Sequence, residues 1–178
     1  MTDGSPTGRR PYLKSITCYQ QGIGRATSRG VTLCLPYMNR NASAVWKGTL
    51  HGGEGTLTTG SGVLSETQYS YRSSLEGGEG TNPDELIAAS LGGCFSMALS
   101  NELGLCGFHP QRIETTATAT LEDLAAGWTV THMQLDVHAN VPDASQAHFM
   151  DAALAAKTNC PMARLLKTNI SMTASLDP

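Results

Sequence analysis

The chain has 178 residues, of which 40% are hydrophobic, 15% charged and 6% aromatic; that is enough for one domain of ordinary size, with or without a tail, and enough to bury a core without disulfides. Twelve basic against fifteen acidic residues give a formal net charge of −3, which argues against nucleic acid as a partner, because such domains carry a basic patch or stripe. No run approaches the roughly 18 apolar residues of a membrane span and the start lacks the apolar stretch of a secretory signal, so no membrane association is expected and the expected compartment is the cytoplasm.

Residues 1–37 differ from the rest of the chain. Arg9, Arg10, Lys14, Arg25 and Arg29 face only Asp3, so this stretch carries +4 while the remainder carries −7. It has no sustained period of 2 or 3.6 and reads as a tail unable to bury enough apolar area to fold. The expected division is a tail over 1–37, disordered or not natively translated, and a folded domain over 38–178. Met38, just ahead of the first strand-like run, is an alternative start.

From Asn41 the pattern turns to strands. Ala42 to Leu50, Gly55 to Leu64 and Gln68 to Leu75 are short runs rich in Thr, Val, Tyr and Ser, separated by turn signals, which predicts a three-stranded meander. A helix start follows Gly77-Gly78-Glu79-Gly80. Asn82 can cap it, Pro83 suits the first helical position, and Asp84 and Glu85 complement the positive end of the dipole. The helix is predicted to run to about Leu103. Its middle, from Ala88 to Ala98, has no charge and many small side chains, which predicts a helix buried all round that another backbone can approach closely.

The second half repeats the order. Arg112 to Leu121 alternates, and from Thr129 onward Met133, Leu135, Val137 and Ala139 fall on one face while His132, Gln134, Asp136 and His138 fall on the other, which predicts a hairpin with one wet face. Ala144 to Thr158 is predicted helical, Asn159-Cys160-Pro161 interrupts, Met162 to Lys167 resumes, and Asn169 to Leu176 is a last strand. The class is α+β, with helices packed on antiparallel sheet.

Five cysteines stand at scattered positions without the Cys-x-x-Cys or Cys/His spacing of a zinc site, which favours redox use over structural pairing in a chain with no export signal. Cys94 lies in the small-residue helix, where a free cysteine can simply fill core space. Cys160 precedes Pro161, so it can stand at the N-cap of the resumed helix, where exposed N–H groups favour a thiolate. From the residues alone Cys160 is the better nucleophile, with Cys94 as its partner. Cys106 reads as a filler, and Cys18 and Cys34 lie in the tail without a motif. His132, Asp136 and His138 share a strand face but lack a fourth ligand, and read as polar exterior rather than a metal site. A static Cys94–Cys160 disulfide in a non-enzymatic structural or binding protein is the competing reading, and a cysteine hydrolase would need a base such as His109, beyond the helix end.

The stretch from Gly80 to Ser100, Gly-Thr-Asn-Pro-Asp-Glu-Leu-Ile-Ala-Ala-Ser-Leu-Gly-Gly-Cys-Phe-Ser-Met-Ala-Leu-Ser, resembles the signature helix of the OsmC/Ohr family, and Asn159-Cys160-Pro161 resembles its second cysteine motif. The resemblance runs from about Asn41 to Leu176, and the segments Glu54 to Leu64 and Glu76 to Asn82 resemble the OsmC branch. It implies an intertwined homodimer whose sheets wrap two central helices, with a two-cysteine peroxidase site at the subunit interface, acting in oxidative or osmotic stress defence. The implied substrates are organic hydroperoxides and, more slowly, hydrogen peroxide; an external dithiol is the implied reductant, and no metal, haem or flavin is implied. By the same resemblance Cys94 is the peroxidatic cysteine, Cys160 the resolving one, and Asp84 stands where the family has a carboxylate, usually Glu, that holds an arginine over the thiolate; Glu85 is an alternative. The family's arginine position is filled here by Ser74. Arg72, two residues earlier and expected on the same face of the same strand, is the proposed substitute, with Arg164 as the alternative.

Overall fold

The computed structural model describes residues 38–177. The expected tail, its boundary, Cys18 and Cys34 lie outside them.

Strand β1 (Ala42–Lys47) pairs antiparallel with β2 (Glu54–Thr59), and β2 pairs antiparallel with β3 (Thr67–Tyr69). Gly55 sits opposite Tyr69 in this register, and a Cβ there would lie 2.4 Å from the tyrosine ring. The missing side chain therefore lets the ring lie over the sheet, where it meets Trp46 at a centroid distance of 5.4 Å. All of β1 is exposed, with Val45 at 51%.

The third strand is shorter than predicted. Instead of continuing to Leu75, the chain enters a short helix, α1 (Tyr71–Leu75). A reciprocal cap explains the switch: the Ser73 amide donates to Ser70 Oγ at 3.0 Å, and the Ser70 amide donates to Ser73 Oγ at 2.9 Å. The usual signature has Glu or Gln at the third helical position; here a serine hydroxyl does the same work. Ser73 is buried and also donates to the Thr81 carbonyl at 2.8 Å, while Asn82 Nδ2 donates to the Ser73 carbonyl at 3.2 Å. This network folds the glycine-rich loop back onto β3. At Gly80 φ is +100° and a Cβ would lie 2.6 Å from the Gln68 carbonyl oxygen, so only glycine suits the turn.

Helix α2 (Pro83–Leu105) starts as predicted, with the Asn82 side chain accepting from the Glu85 amide and Pro83 in the first turn. By length and hydropathy this helix passes the test for a membrane span, unlike the expectation from the sequence, but it packs as a core helix. Leu91, Phe95, Leu99 and Leu103, one every fourth residue, are fully buried. In the single chain the burial is one-sided, not all round: Met97 is 70% exposed, and Ser90, Gly93 and Ser100 share its open face.

The second sheet contains β4 (Arg112–Leu124), β5 (Gly127–Asn140) and β6 (Asn169–Leu176), in that order. The β4–β5 hairpin is antiparallel, with a register shift at Thr120/Leu121. The β5–β6 pair is parallel, a departure from the antiparallel sheet expected. Its cause lies in the connection: α3 (Gln146–Asn159) and α4 (Pro161–Leu165) carry the chain back along the sheet before β6 begins, and a helical crossover of this kind delivers a parallel strand. Met133, Leu135, Val137 and Ala139 face the helices as expected. On the outer face, His132 and His138 bond Ser171 and Ser175 at 2.6 and 2.9 Å, and Asp136 accepts from Thr173. The Thr173 hydroxyl first, then the Gln134 amide, hold the Asp136 carboxyl below its ordinary range.

Candidate active site

The central helix α2 packs against β4 on one side and against α3 and α4 on another. At Gly92 the backbone of β4 comes close, since an added Cβ would lie 3.5 Å from the Thr115 carbonyl oxygen. Ser96 Oγ donates to the Gly92 carbonyl at 2.9 Å and bonds Thr115 Oγ1 at 2.8 Å, tying this stretch of α2 to the sheet. Cys94 lies between these anchors and is half-buried. Phe149, Ala152, Ala153 and Ala156 form the buried face of α3, and the three alanines let it approach α2 closely.

Helix α3 ends because Cys160 leaves the helical region, with φ −60° and ψ 119°, and Pro161 follows. Cys160 is therefore both the last cap of α3 and the first cap of α4. The N-cap position read from the sequence is observed, but its chemical consequence is not. Cys160 is fully buried at 0% exposure. Burial pushes the Cys160 thiol above its ordinary value, and the neighbouring Cys94 pushes in the same direction. The Ala163 and Met162 amides pull the other way without offsetting the burial. Desolvation, a quantity the local sequence does not display, works against the ranking from residues alone, which favours Cys160 as the thiolate.

Cys94 and Cys160 are neighbours in the core, and both are free. Arg72 is placed differently from expectation. It belongs to α1, not to a strand, so it does not share a strand face with Ser74. Its side chain is 73% exposed, and Nε lies 3.4 Å from Glu76 Oε2 one turn on. Asp84 stands in the first turn of α2, ten residues before Cys94 and so about 15 Å along the axis. Among the described residues no hydrogen bond or ion pair links Arg72 or Asp84 to either cysteine. Arg164 is exposed on α4, and its amide donates to the Cys160 carbonyl at 3.0 Å. Glu102 and Asn159 form a pair that the sequence pattern does not announce: Asn159 Nδ2 donates to the buried Glu102 Oε1 at 2.9 Å. A lone acid in an apolar helix stretch is the one signal available for it.

Two neighbouring free thiols, one half-open and one buried, thus stand on adjoining helices of an α+β body. The model for OsmC-like proteins matches residues 76–175. The chain is 39% identical over 135 residues to Peroxiredoxin OsmC of Escherichia coli (strain K12), covering 76% of this chain and 94% of that protein, and equally so to Peroxiredoxin OsmC of Shigella flexneri. Among solved structures, the organic hydroperoxide resistance protein OhrB of Bacillus subtilis superposes with a TM-score of 0.57 at 21% identity over 77% of this chain and 98% of that one. An OsmC-like protein of unknown function from Vibrio cholerae gives 0.64 at 16% identity, over 78% and 100% of the two chains. The chain belongs to the OsmC family, and its fold is the α+β OsmC fold.

The raised Cys160 pKa makes a prediction about stability. A group whose folded pKa lies above its unfolded value stabilises the fold while it is protonated, fully below the unfolded pKa, and loses that contribution as pH rises through the folded pKa. The reduced protein should therefore lose melting temperature above pH of about 8.5, the ordinary thiol range, and Cys160→Ala should lack that component. A parallel loss in both proteins would assign the alkaline instability elsewhere.

Proposed function

We propose that this protein is a thiol-dependent peroxidase that reduces organic hydroperoxides in the cytoplasm, with Cys94 as the attacking sulfur and Cys160 as the resolving one. The observation that carries the reading is the unequal burial of two neighbouring thiols. A hydroperoxide can reach the half-buried Cys94 first, while the dry Cys160 is held as a thiol until its neighbour has reacted. The names of the relatives, a peroxiredoxin and an organic hydroperoxide resistance protein, support the same chemistry.

In this mechanism the Cys94 thiolate attacks the distal peroxide oxygen. The O–O bond breaks, the alkoxide takes a proton and leaves as alcohol, and Cys94 becomes a sulfenic acid. The Cys160 sulfur then attacks the Cys94 sulfur, the S–S bond forms, and hydroxide leaves with the Cys160 proton as water. An external dithiol reduces the disulfide and is itself oxidised to a disulfide. None of these steps calls on a metal, haem or flavin.

The reading includes a homodimer. The open face of α2 is lined by small residues around Met97, and at Gly93 nothing lies within 4 Å of where a Cβ would stand. The first sheet leaves β1 wholly exposed, and the principal packing partners of α2 lie in the second half of the chain. Two such protomers, each covering the other's α2 face, would bring Arg72 of the partner subunit to the thiol pair. Asp84 would then hold that guanidinium rather than touch the sulfur. The Arg72–Glu76 contact is an exposed pair one helical turn apart, worth about 0.3–0.5 kcal/mol, so exchanging it for a drier carboxylate costs little.

Cys94→Ser is expected to abolish hydroperoxide consumption, whereas Cys160→Ser should consume about one equivalent and leave a sulfenic acid on Cys94 that dimedone traps. The reverse pattern would exchange the two roles. Arg72→Ala should slow the reaction of Cys94 with hydroperoxide by at least about tenfold at neutral pH without lowering the melting temperature, because a guanidinium both stabilises a thiolate and bonds a peroxide oxygen. An unchanged rate would remove Arg72 from the site and make Arg164 the next arginine to test.

A further inference from the structure

Glu102 is the one carboxylate buried among the described residues, at 9% exposure, and it lies in α2, the more apolar of the two long helices described. A buried acid is costly unless it is paired and hydrogen-bonded. The two ion pairs found among the described residues, Arg72–Glu76 and Arg112–Glu114, do not include it. Its partner is a neutral amide, Asn159, at 2.9 Å. Apolar residues of similar size at both positions would avoid the desolvation cost altogether, so the pair is poorly explained by stability alone.

The location of the partner gives it a use. Asn159 is the last residue of α3, and the next residue is Cys160. Backbone bonds run through that junction, from the Cys160 amide to the Ala156 carbonyl at 2.8 Å and from the Arg164 amide to the Cys160 carbonyl at 3.0 Å, but the chain leaves the helix there for a single residue before α4, and the Asn159 side chain is what ties it across to α2. Glu102 stands on the same rod as Cys94, eight residues and about 12 Å further along. One rigid helix thus carries both the sulfur to be resolved and the acceptor that holds the resolving sulfur's neighbour. Disulfide geometry is narrow, with Cβ atoms about 3.5–4.5 Å apart, so a junction free to drift by an ångström would spend much of its time outside it.

We propose that Glu102, acting through Asn159, is a positioning residue for the second chemical step, holding the α3–α4 junction so that Cys160 meets the Cys94 sulfenic acid before a second hydroperoxide does. The inference rests on the two-cysteine reading. Its loss would let a second hydroperoxide oxidise the sulfenic acid to a sulfinic acid, with release of a second alcohol.

The test compares Glu102→Leu, Glu102→Gln and Asn159→Ala with the parent, full-length and reduced, against cumene hydroperoxide. Stopped-flow separates the first oxidation from disulfide formation, and intact mass gives the sulfinic fraction. Glu102→Leu and Asn159→Ala should keep the first rate within about twofold, slow disulfide formation by about tenfold or more, and raise the sulfinic fraction. Glu102→Gln, whose side-chain oxygen can accept the same bond, should restore disulfide formation to within about threefold of the parent. Should Glu102→Leu fail to fold, Asn159→Ala against Glu102→Gln carries the comparison. Disulfide formation at the parental rate in the variants that lack the bond would overturn the role, as would equal slowing of both phases with no rescue by Gln. A parent that forms no disulfide at all would instead sink the two-cysteine reading, and the positioning role with it.

Discussion

Burial of Leu91, Phe95, Leu99 and Leu103 along one side of α2 governs where the other elements of the body can stand. Each such side chain stabilises the fold by about 1.5–3 kcal/mol when fully removed from water, against a typical net stability of about 5–15 kcal/mol. The β4–β5 hairpin and α3 must therefore close on that stripe, and they do so at small residues: Gly92 beside β4, and the alanines of α3 against the helix. Cys94 lies in the same stretch, flanked by the Gly92 and Ser96 contacts, so its position is inherited from the packing of the core. The second sulfur arrives by topology. Because β6 runs parallel to β5, the chain must cross back over the sheet, and the crossover brings the α3–α4 junction with Cys160 onto α2.

Desolvation then differentiates two chemically identical side chains. Both thiols belong to the same apolar body, but only Cys160 is wholly removed from solvent, and its thiol form is favoured accordingly. A dry thiol makes a poor first nucleophile, and in the proposed order the half-open one beside it reacts first. An arginine brought to the pair by a second copy of the chain completes the proposed arrangement, and it fits an α2 face and a β1 strand that a single copy leaves uncovered. The proposed order of the two sulfurs follows from burial, while the rate of the first step is assigned to charge.

Much of this is legible in the residues. The Asn82–Pro83 start, the burial alternation along β5, the break at Cys160 and the last strand at Asn169 all follow from capping, period and proline rules that act within a few positions. The departures come where the deciding contact is long-range or uses an unusual residue. The strand expected through Leu75 stops at Tyr69 because Ser73, not Glu or Gln, completes the cap of α1 and moves Arg72 onto a helix. The parallel β5–β6 pairing depends on a crossover whose direction no local pattern records. Cys160 looks like a thiolate because its N-cap position is visible in sequence, while its burial by α2 is not. Glu102 is inconspicuous because its partner lies 57 positions away.

The central claim is that Cys94 and Cys160 are a working redox pair, and one titration tests it directly. Fully reduced protein is mixed with one equivalent of cumene hydroperoxide, its intact mass is measured, and the non-reduced peptides are mapped. A working pair predicts the loss of two hydrogens, a single Cys94–Cys160 cross-linked peptide, and full recovery of the reduced mass on adding a dithiol. Retention of the reduced mass with the peroxide unconsumed, or a cross-link that omits either of these two cysteines, would contradict it.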